Sequence, residues 1–345
     1  MRVEKQAGNG MARRGLLRGA ALGGAGIAAA SLVPAQSASA ASTTSAAGAG
    51  DGFVFPGVDV VIDGSHATTD VTLLVRAYLA RKSAADPAGT TDFFSHHPVT
   101  YIDAVLGWAW YDWDSLLTAM GQFMPTWPKD GKSYPTRILG DSTSAIVFFT
   151  DTAGLFGPSE IRAVGVVNFN DRKIARQIDY WDGRHFGISN TAQLKLPADQ
   201  FPADFRESTV GETAARTMKH VSYELARVLR DGDGANAAEL FAPGAVFEDI
   251  PAHVQIIGPR SIGSYLTDAA ALLPYAGGST AVRHVVGSAV GGGYEWTASD
   301  GPVLRGVIAL ELDRWRRITR LTAMWDGSQV DDSTLVSLSR KAIER

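Results

Sequence analysis

The apolar positions of the chain fall into two runs of the same kind. Val71, Leu74, Val75, Tyr78 and Leu79 recur at helical spacing, with Thr69 and Asp70 ahead of them as caps. Ala214, Met218, Val221, Leu225 and Val228 repeat that stripe, and Gly232 and Gly234 stop it. After each stripe the spacing predicts a short strand (Val99–Ile102, Val246–Asp249) and a second helix (Asp114–Phe123, Ser261–Leu273). Three β-rich runs close each half: Ser144–Thr150, Ile161–Phe169 and Ile174–Trp181, then Val282–Ala289, Leu304–Leu312 and Ile318–Trp325. Asn170-Asp171 and Asp313-Arg314 mark the final turns. Helices followed by an antiparallel meander make an α+β layout.

Residue identity ties the halves together at a few points. Tyr180-Trp181-Asp182-Gly183 returns as Met324-Trp325-Asp326-Gly327, and Ile174-Ala175-Arg176 as Ile318-Thr319-Arg320, each 144 residues on. Asp92-Phe93-Phe94 is echoed by Glu239-Leu240-Phe241.

The N-terminus reads differently. Ala12-Arg13-Arg14-Gly15-Leu16-Leu17-Arg18 resembles a twin-arginine export signal. A small apolar run follows to Val33, and Ala38-Ser39-Ala40 has the A-x-A form of a cleavage site. The expected organisation is an export signal over 1–40, a flexible lead-in over 41–59, domain one over 60–187, a linker over 188–210 and domain two over 211–345. Removing the first 40 of 345 residues takes away five basic side chains and one acidic one, so the charge moves from −4 to −8. The expected mature protein is secreted, has no membrane span and is no nucleic-acid binder, since it lacks a basic surplus. Its two domains are expected to pack as a pseudo-dimer, and a homo-oligomer stays open.

Composition narrows the chemistry. At 45% hydrophobic and 20% charged, the chain is an ordinary globular one. Without cysteine there is no disulfide, zinc–thiolate site or thiol nucleophile. The phosphate loop, HExxH and GxSxG patterns are missing too. His96-His97 reads as a solvated loop, because adjacent histidines point apart. No metal and no cofactor is expected. Carboxylates and tyrosine remain.

The order of elements and the terminal Trp-Asp strand resemble the nuclear transport factor 2-like superfamily, nearest to the SnoaL-like polyketide cyclases and the limonene-type epoxide hydrolases. That resemblance implies two tandem cone-shaped domains, each with helices packed in a curved antiparallel sheet around an apolar cavity. Gln177-Ile178-Asp179-Tyr180-Trp181-Asp182 is similar to the family's terminal strand, which places Asp179 at its catalytic acid. Phe149-Thr150-Asp151 stands where the family has Arg-Thr-Asp, and Tyr101-Ile102-Asp103 where it has Tyr-x-Asn. The resemblance thus implies catalytic roles for Asp179, Asp151, Asp103 and Tyr101, with Trp110, Trp181 and Phe149 as substrate-binding walls. In half two, Ala323 stands at the position of Asp179 and Glu295 at that of Asp151, with Glu248 and Asp249 near that of Tyr101 and Asp103.

Carboxylates gathered in an apolar cavity repel one another and are poorly solvated, which raises their pKa. One protonated carboxyl as acid, one ionised carboxylate as base and Tyr101 as donor to a developing oxyanion is the expected arrangement. Asp182 and Asp326, each followed by glycine, read better as turn formers. The aromatic run Trp108–Trp113 reads equally as a cavity wall or as packing between domains. The implied function is cofactor-independent acid/base chemistry on an apolar polyketide or terpenoid, with epoxide opening by hydrolysis or cyclisation first. The alternative is a non-catalytic binding protein for a hydrophobic metabolite.

Overall fold

The computed structural model of the chain describes residues 53–343. The expected export signal and residues 41–52 of the lead-in lie outside the described residues. The strands, in chain order, form two sheets. The first takes β1 (Phe53–Val54), β2 (Val61–Ala67), β3 (Thr100–Asp103), β4 (Ala109–Trp110), β5 (Ser133–Gly140), β6 (Ser144–Asp151), β7 (Ile161–Asn170) and β8 (Lys173–Trp181). Its spatial order is β1-β2-β5-β6-β7-β8-β3-β4. The second takes β9 (Phe241–Asp249), β10 (Val254–Ile257), β11 (Thr280–Gly287), β12 (Gly291–Ala298), β13 (Arg305–Leu312) and β14 (Ile318–Trp325), ordered β10-β9-β14-β13-β12-β11.

Neither sheet is purely antiparallel, contrary to expectation. β3 runs parallel to β8, β9 parallel to β14, and β2 parallel to β5. The cause is the crossover: the chain leaves the early strand through a helix and returns beside it in the same direction.

Ladder register fixes how the halves correspond. Asp103 lies opposite Asp179, and Asp249 opposite Ala323. Phe94 bridges Ile174 as Phe241 pairs with Ile318. Phe149 pairs through Ala163 to Trp181, as Trp296 pairs through Gly306 to Trp325. The counterpart of β6 is therefore β12, and β11 matches β5. β12 escapes the apolar pattern because it opens Gly291-Gly292-Gly293. The space explains Gly293: a Cβ there would meet Ile308 O at 2.0 Å. β5 escapes because Pro135 interrupts it, at a bulge between Pro135 and Arg137.

Each sheet lays one face on its own helices and the other face on its partner sheet. In half one, the Thr69–Ser83 and Trp113–Phe123 helices cover Val147, Phe149, Val167 and Trp181. In half two, the Arg216–Arg230 and Pro259–Ala269 helices cover Tyr294, Trp296, Leu310 and Trp325. Between the sheets lie Ile146, Phe148, Val166, Ile178 and Tyr180 against Val286, Val307, Ala309 and Met324. Each of the Val, Ile, Phe and Met side chains among them contributes roughly 1.5–3 kcal/mol when fully buried.

Polar links cross the same seam. Arg176 and Glu295, both fully buried, meet at 2.7 Å, and the Tyr180 hydroxyl donates to Glu295 at 2.6 Å. Arg137 meets Glu311 at 2.9 Å, and His284 meets Asn168 at 3.0 Å. The two Trp-Asp-Gly strings interlock: Gly183 N donates to Asp326 at 3.2 Å and Gly327 N to Asp182 at 3.1 Å. That exchange is the reciprocity of a two-fold interface, here within one chain. Each aspartate also caps its own following turn, through Arg184 N and Ser328 N.

Two expected boundary segments hold more structure than foreseen. Phe53–Val54 pairs with β2 and Phe55 is buried in the core of half one, inside the expected lead-in. The expected linker carries the Ile188–Leu194 helix and buries Phe205 between the sheets, where its carbonyl accepts from Arg176 Nε at 2.8 Å.

Candidate functional site

Strand alternation builds the site. On β8, Gln177, Asp179 and Trp181 face the helices of half one, while Arg176, Ile178 and Tyr180 face the other sheet. β3 runs alongside and brings Tyr101 and Asp103 to the same interior. β6 ends there with Phe149 and Asp151. The result is a cavity of about 60 Å³. Its deep wall, Lys82, Phe149, Asp151, Asp179 and Trp181, is buried; its outer wall, Trp108, Trp110, Phe123, Trp127 and Phe156, is partly exposed.

Asp179 is the deep carboxyl. Its oxygens accept from the Gln177 amide at 3.0 and 3.2 Å. Burial pushes its pKa up to about 7, against the pull of Lys82, Gln177 and the Tyr101 hydroxyl beside it. Opposite it on β7 stands Gly165, where a Cβ would come within 2.9 Å of the carboxylate oxygen. The missing side chain makes the room. Burial, with Asp179 alongside, holds the Tyr101 and Tyr78 hydroxyls well above the usual range, so both keep their protons, and Tyr101 faces Asp179 as a donor.

Asp151 is held. Lys82 Nζ lies 3.1 and 3.2 Å from its two oxygens, both side chains are buried, and the ammonium sits 4.9 Å from the Phe149 ring centre. Lys82 was not among the residues read from the sequence, although the signal was present. The stripe Val71, Leu74, Val75, Tyr78, Leu79 continues to position 82, so a lysine there must point inward.

Asp103 is also held. It accepts from Val105 N at 2.9 Å, Leu106 N at 2.8 Å and the Trp181 indole at 2.9 Å. Burial still raises its pKa to about 6, against those three donors. Trp110 lies tilted against Tyr101 with ring centres 5.5 Å apart, and Trp108 is near-parallel to Phe123 at 5.5 Å. Trp108 and Trp110 are thus wall residues. Trp113 instead packs on exposed His96 and donates to Thr91 O at 3.1 Å.

The three candidates of half two do not gather. Asp249 repeats Asp103, accepting from Ala252 N at 3.0 Å, the Trp325 indole at 3.0 Å and the Tyr275 hydroxyl at 2.8 Å. Its pKa, too, is raised by burial to about 6. Glu295 lies between the sheets, on Arg176 and Tyr180. The ladder gives the reason: the partner of Asp151 is Ala298, and a three-residue offset puts Glu295 on the opposite face. Glu248 joins a partly exposed network with Arg320 at 3.0 Å and Thr322 at 3.2 Å. Among the described residues no group of His, Asp or Glu is arranged to hold a metal ion, and no helix is long and apolar enough to cross a membrane.

No protein-family model matches this chain, and no curated protein matches it. Its structural neighbours are NTF2-like, SnoaL-like and ketosteroid isomerase-like. A steroid delta-isomerase from Pseudomonas aeruginosa is 17% identical, over 38% of this chain and 93% of that one, with a TM-score of 0.30. A SnoaL-like protein of unknown function from Burkholderia thailandensis is 13% identical, over 32% and 94%, with a TM-score of 0.28. A ketosteroid isomerase-like protein from Catenulispora acidiphila, solved with trimethylamine, is 17% identical, over 37% and 97%, with a TM-score of 0.29. At such scores the likeness carries no functional inference.

Proposed function

We propose that the cavity of half one performs acid/base chemistry on the apolar end of a small molecule, without a cofactor. One observation carries this reading: a carboxyl, Asp179, buried beside the Tyr101 hydroxyl in an aromatic-walled cavity, where burial raises its pKa to about 7. A base is most effective when its pKa lies near the working pH.

A proton shift within the substrate fits this set best. Ionised Asp179 takes a proton from a carbon next to a carbonyl. Tyr101 turns its hydroxyl to the oxygen on which charge develops, and Asp179 returns the proton at the neighbouring position. That isomerisation needs one titrating carboxyl. Epoxide opening needs a second group to take the proton of water, and here Asp151 would first have to release Lys82 while Asp103 is tied by three donors.

The cavity volume bounds the substrate. About 60 Å³ is well under the ~150 Å³ that accepts benzene in an engineered protein cavity. The reacting end of a polyketide or terpenoid would enter, with the remainder along Trp108 and Trp110. The export expected from residues 1–40 would place this chemistry outside the cytoplasm.

The test incubates the protein in D2O with a panel of β,γ-unsaturated ketones and aliphatic epoxides, followed by NMR. Deuterium entering the ketone, abolished in Asp179→Asn while affinity persists, supports the proposal. Binding without turnover in the unaltered protein replaces it with a binding role. Asp179→Asn behaving as the unaltered protein in both assays removes the site.

A further inference from the structure

A groove in half two has a filled counterpart in half one. In half one the chain's own Val54 and Phe55, at the end of β1, reach the Thr69–Ser83 helix and β5. Phe55 is 1% exposed there, its ring centre 6.3 Å from that of Tyr134, and Arg76 donates to Val54 O at 3.0 Å. The ladders equate Ser133 with Thr280 and hence Tyr134 with Ala281. Both helices have 15 residues, which equates Arg76 with Tyr223. Ala281 and Tyr223 line an open groove of about 440 Å³ between the Arg216–Arg230 helix and β11.

The groove stays open because the chain approaches it differently. β2 runs beside β5 before entering its helix. The corresponding stretch ahead of Arg216 turns instead toward the seam, where Glu207 meets Arg283 at 2.6 Å. β11 is left as an edge strand.

The lining fits one class of ligand. Exposed Tyr223 gives an aromatic wall over a floor where buried Tyr275, Tyr294 and Trp296 lie, and Arg227 and Arg230 stand on the helix side. Among the described residues Arg230 makes a 3.8 Å contact with Asp231, and the pairs of Arg227 with Glu224 and Asp231 are solvent-exposed. Exposed pairs of this kind are weak, so an incoming carboxylate can displace them. The volume is that of an ordinary small-molecule site. We infer that this groove binds a small aromatic carboxylate, its ring in the seat that Phe55 fills in half one and its carboxylate on Arg230.

The experiment is a titration of the full chain with 3-phenylpropionate by calorimetry, with 3-phenylpropylamine as the charge-reversed probe. Saturable binding of the acid and at least tenfold weaker binding of the amine are expected. Arg230→Ala should weaken the acid about tenfold, and Ala281→Tyr, which restores the half-one residue, should block it. Both positions are exposed or partly exposed, and circular dichroism verifies the fold of each variant. Neither substitution touches the half-one cavity, so loss in these variants places the ligand in the groove. Equal binding of acid and amine, unchanged binding in both variants, or binding of a Phe-containing extended peptide but not of the free acid overturns the inference.

Discussion

At the ladder positions where half one carries Gln177, Asp179 and Trp181, half two carries Leu321, Ala323 and Trp325. Tyr101 becomes Phe247, Asp151 becomes Ala298 and, near the end of the first helix, Lys82 becomes Leu229. Lys82, Tyr101, Asp151, Gln177 and Asp179 all have hydrocarbon counterparts in half two, and Leu229, Phe247, Leu321 and Ala323 lie in its core. The one carboxylate retained, Asp103 as Asp249, is the one that ties an indole and at least one backbone N–H in both halves. The difference separates two kinds of buried acid. A group kept where the reacting neighbours are absent serves the frame; groups found only in one copy are free to serve chemistry, and they are the costly ones.

The largest effect should come from Asp179. Asn at 179 should lower turnover by about 10²–10⁴, the usual contribution of a positioned acid or base. Its stability effect has the opposite sign. The unfolded carboxyl loses its proton near 3.8 and the folded one near 7, so the folded state holds the extra proton between these values. Stability therefore falls as pH rises from about 4 to 7 and levels off above. Asp179→Asn should remove that slope and gain up to about 4 kcal/mol at pH 8. Urea unfolding at pH 5 and pH 8 checks the sign. A variant less stable than the unaltered chain at pH 8 would place Asp179 with the frame.

Next comes the Lys82–Asp151 pair. Lys82→Leu alone, the residue of half two, should cost about 3–5 kcal/mol, because it strands a buried carboxylate. Lys82→Leu with Asp151→Ala copies half two at both positions and should be near neutral in the same unfolding assay. Equal losses in the single and double variants would mean that the halves do not tolerate each other's cores.

How much of this was readable beforehand follows from how each signal works. The helices and the last strands of each half show because apolar periodicity survives wherever one face is buried. β5 and β12 were hidden by Pro135 and by three glycines, residues placed for a bulge and for close backbone approach rather than for strand propensity. A constant spacing of 144 residues sets Glu295 at the position of Asp151; the ladders carry a three-residue difference there, so Ala298 takes that position and Glu295 turns to the seam. Asp179 was legible because a carboxylate inside an apolar strand is expensive anywhere. Lys82 was overlooked because a charge at a helix end reads as solvated, although its position on the buried stripe said otherwise. That Asp103 is tied rather than free needed the fold, since its three partners come from a loop and from β8.

The repeated latch should give matched, smaller losses. Asp103→Ala leaves an indole N–H and two backbone N–H groups unpaired, and Asp249→Ala an indole N–H, one backbone N–H and the Tyr275 hydroxyl, for about 1–3 kcal/mol apiece. Thermal unfolding of the two variants compares them directly. A much larger fall in turnover from Asp103→Ala than its instability explains would move Asp103 from the frame to the chemistry.

The smallest effect tests the seam. A Cβ at Gly183 would come within 2.6 Å of Asp326 Oδ1, and one at Gly327 within 2.6 Å of Asp182 Oδ1. Each carboxylate accepts both the glycine N–H across the seam and the N–H of its own turn. Gly183→Ala and Gly327→Ala should therefore each cost about 1 kcal/mol, the scale of one lost cap. Because the two contacts meet at one place, the pair should cost less than the sum, as neighbouring sites do. Full additivity in a double-mutant cycle would mean that the two strings act independently. The return of Trp-Asp-Gly 144 residues on would then mark common descent of the halves and not their mutual fit.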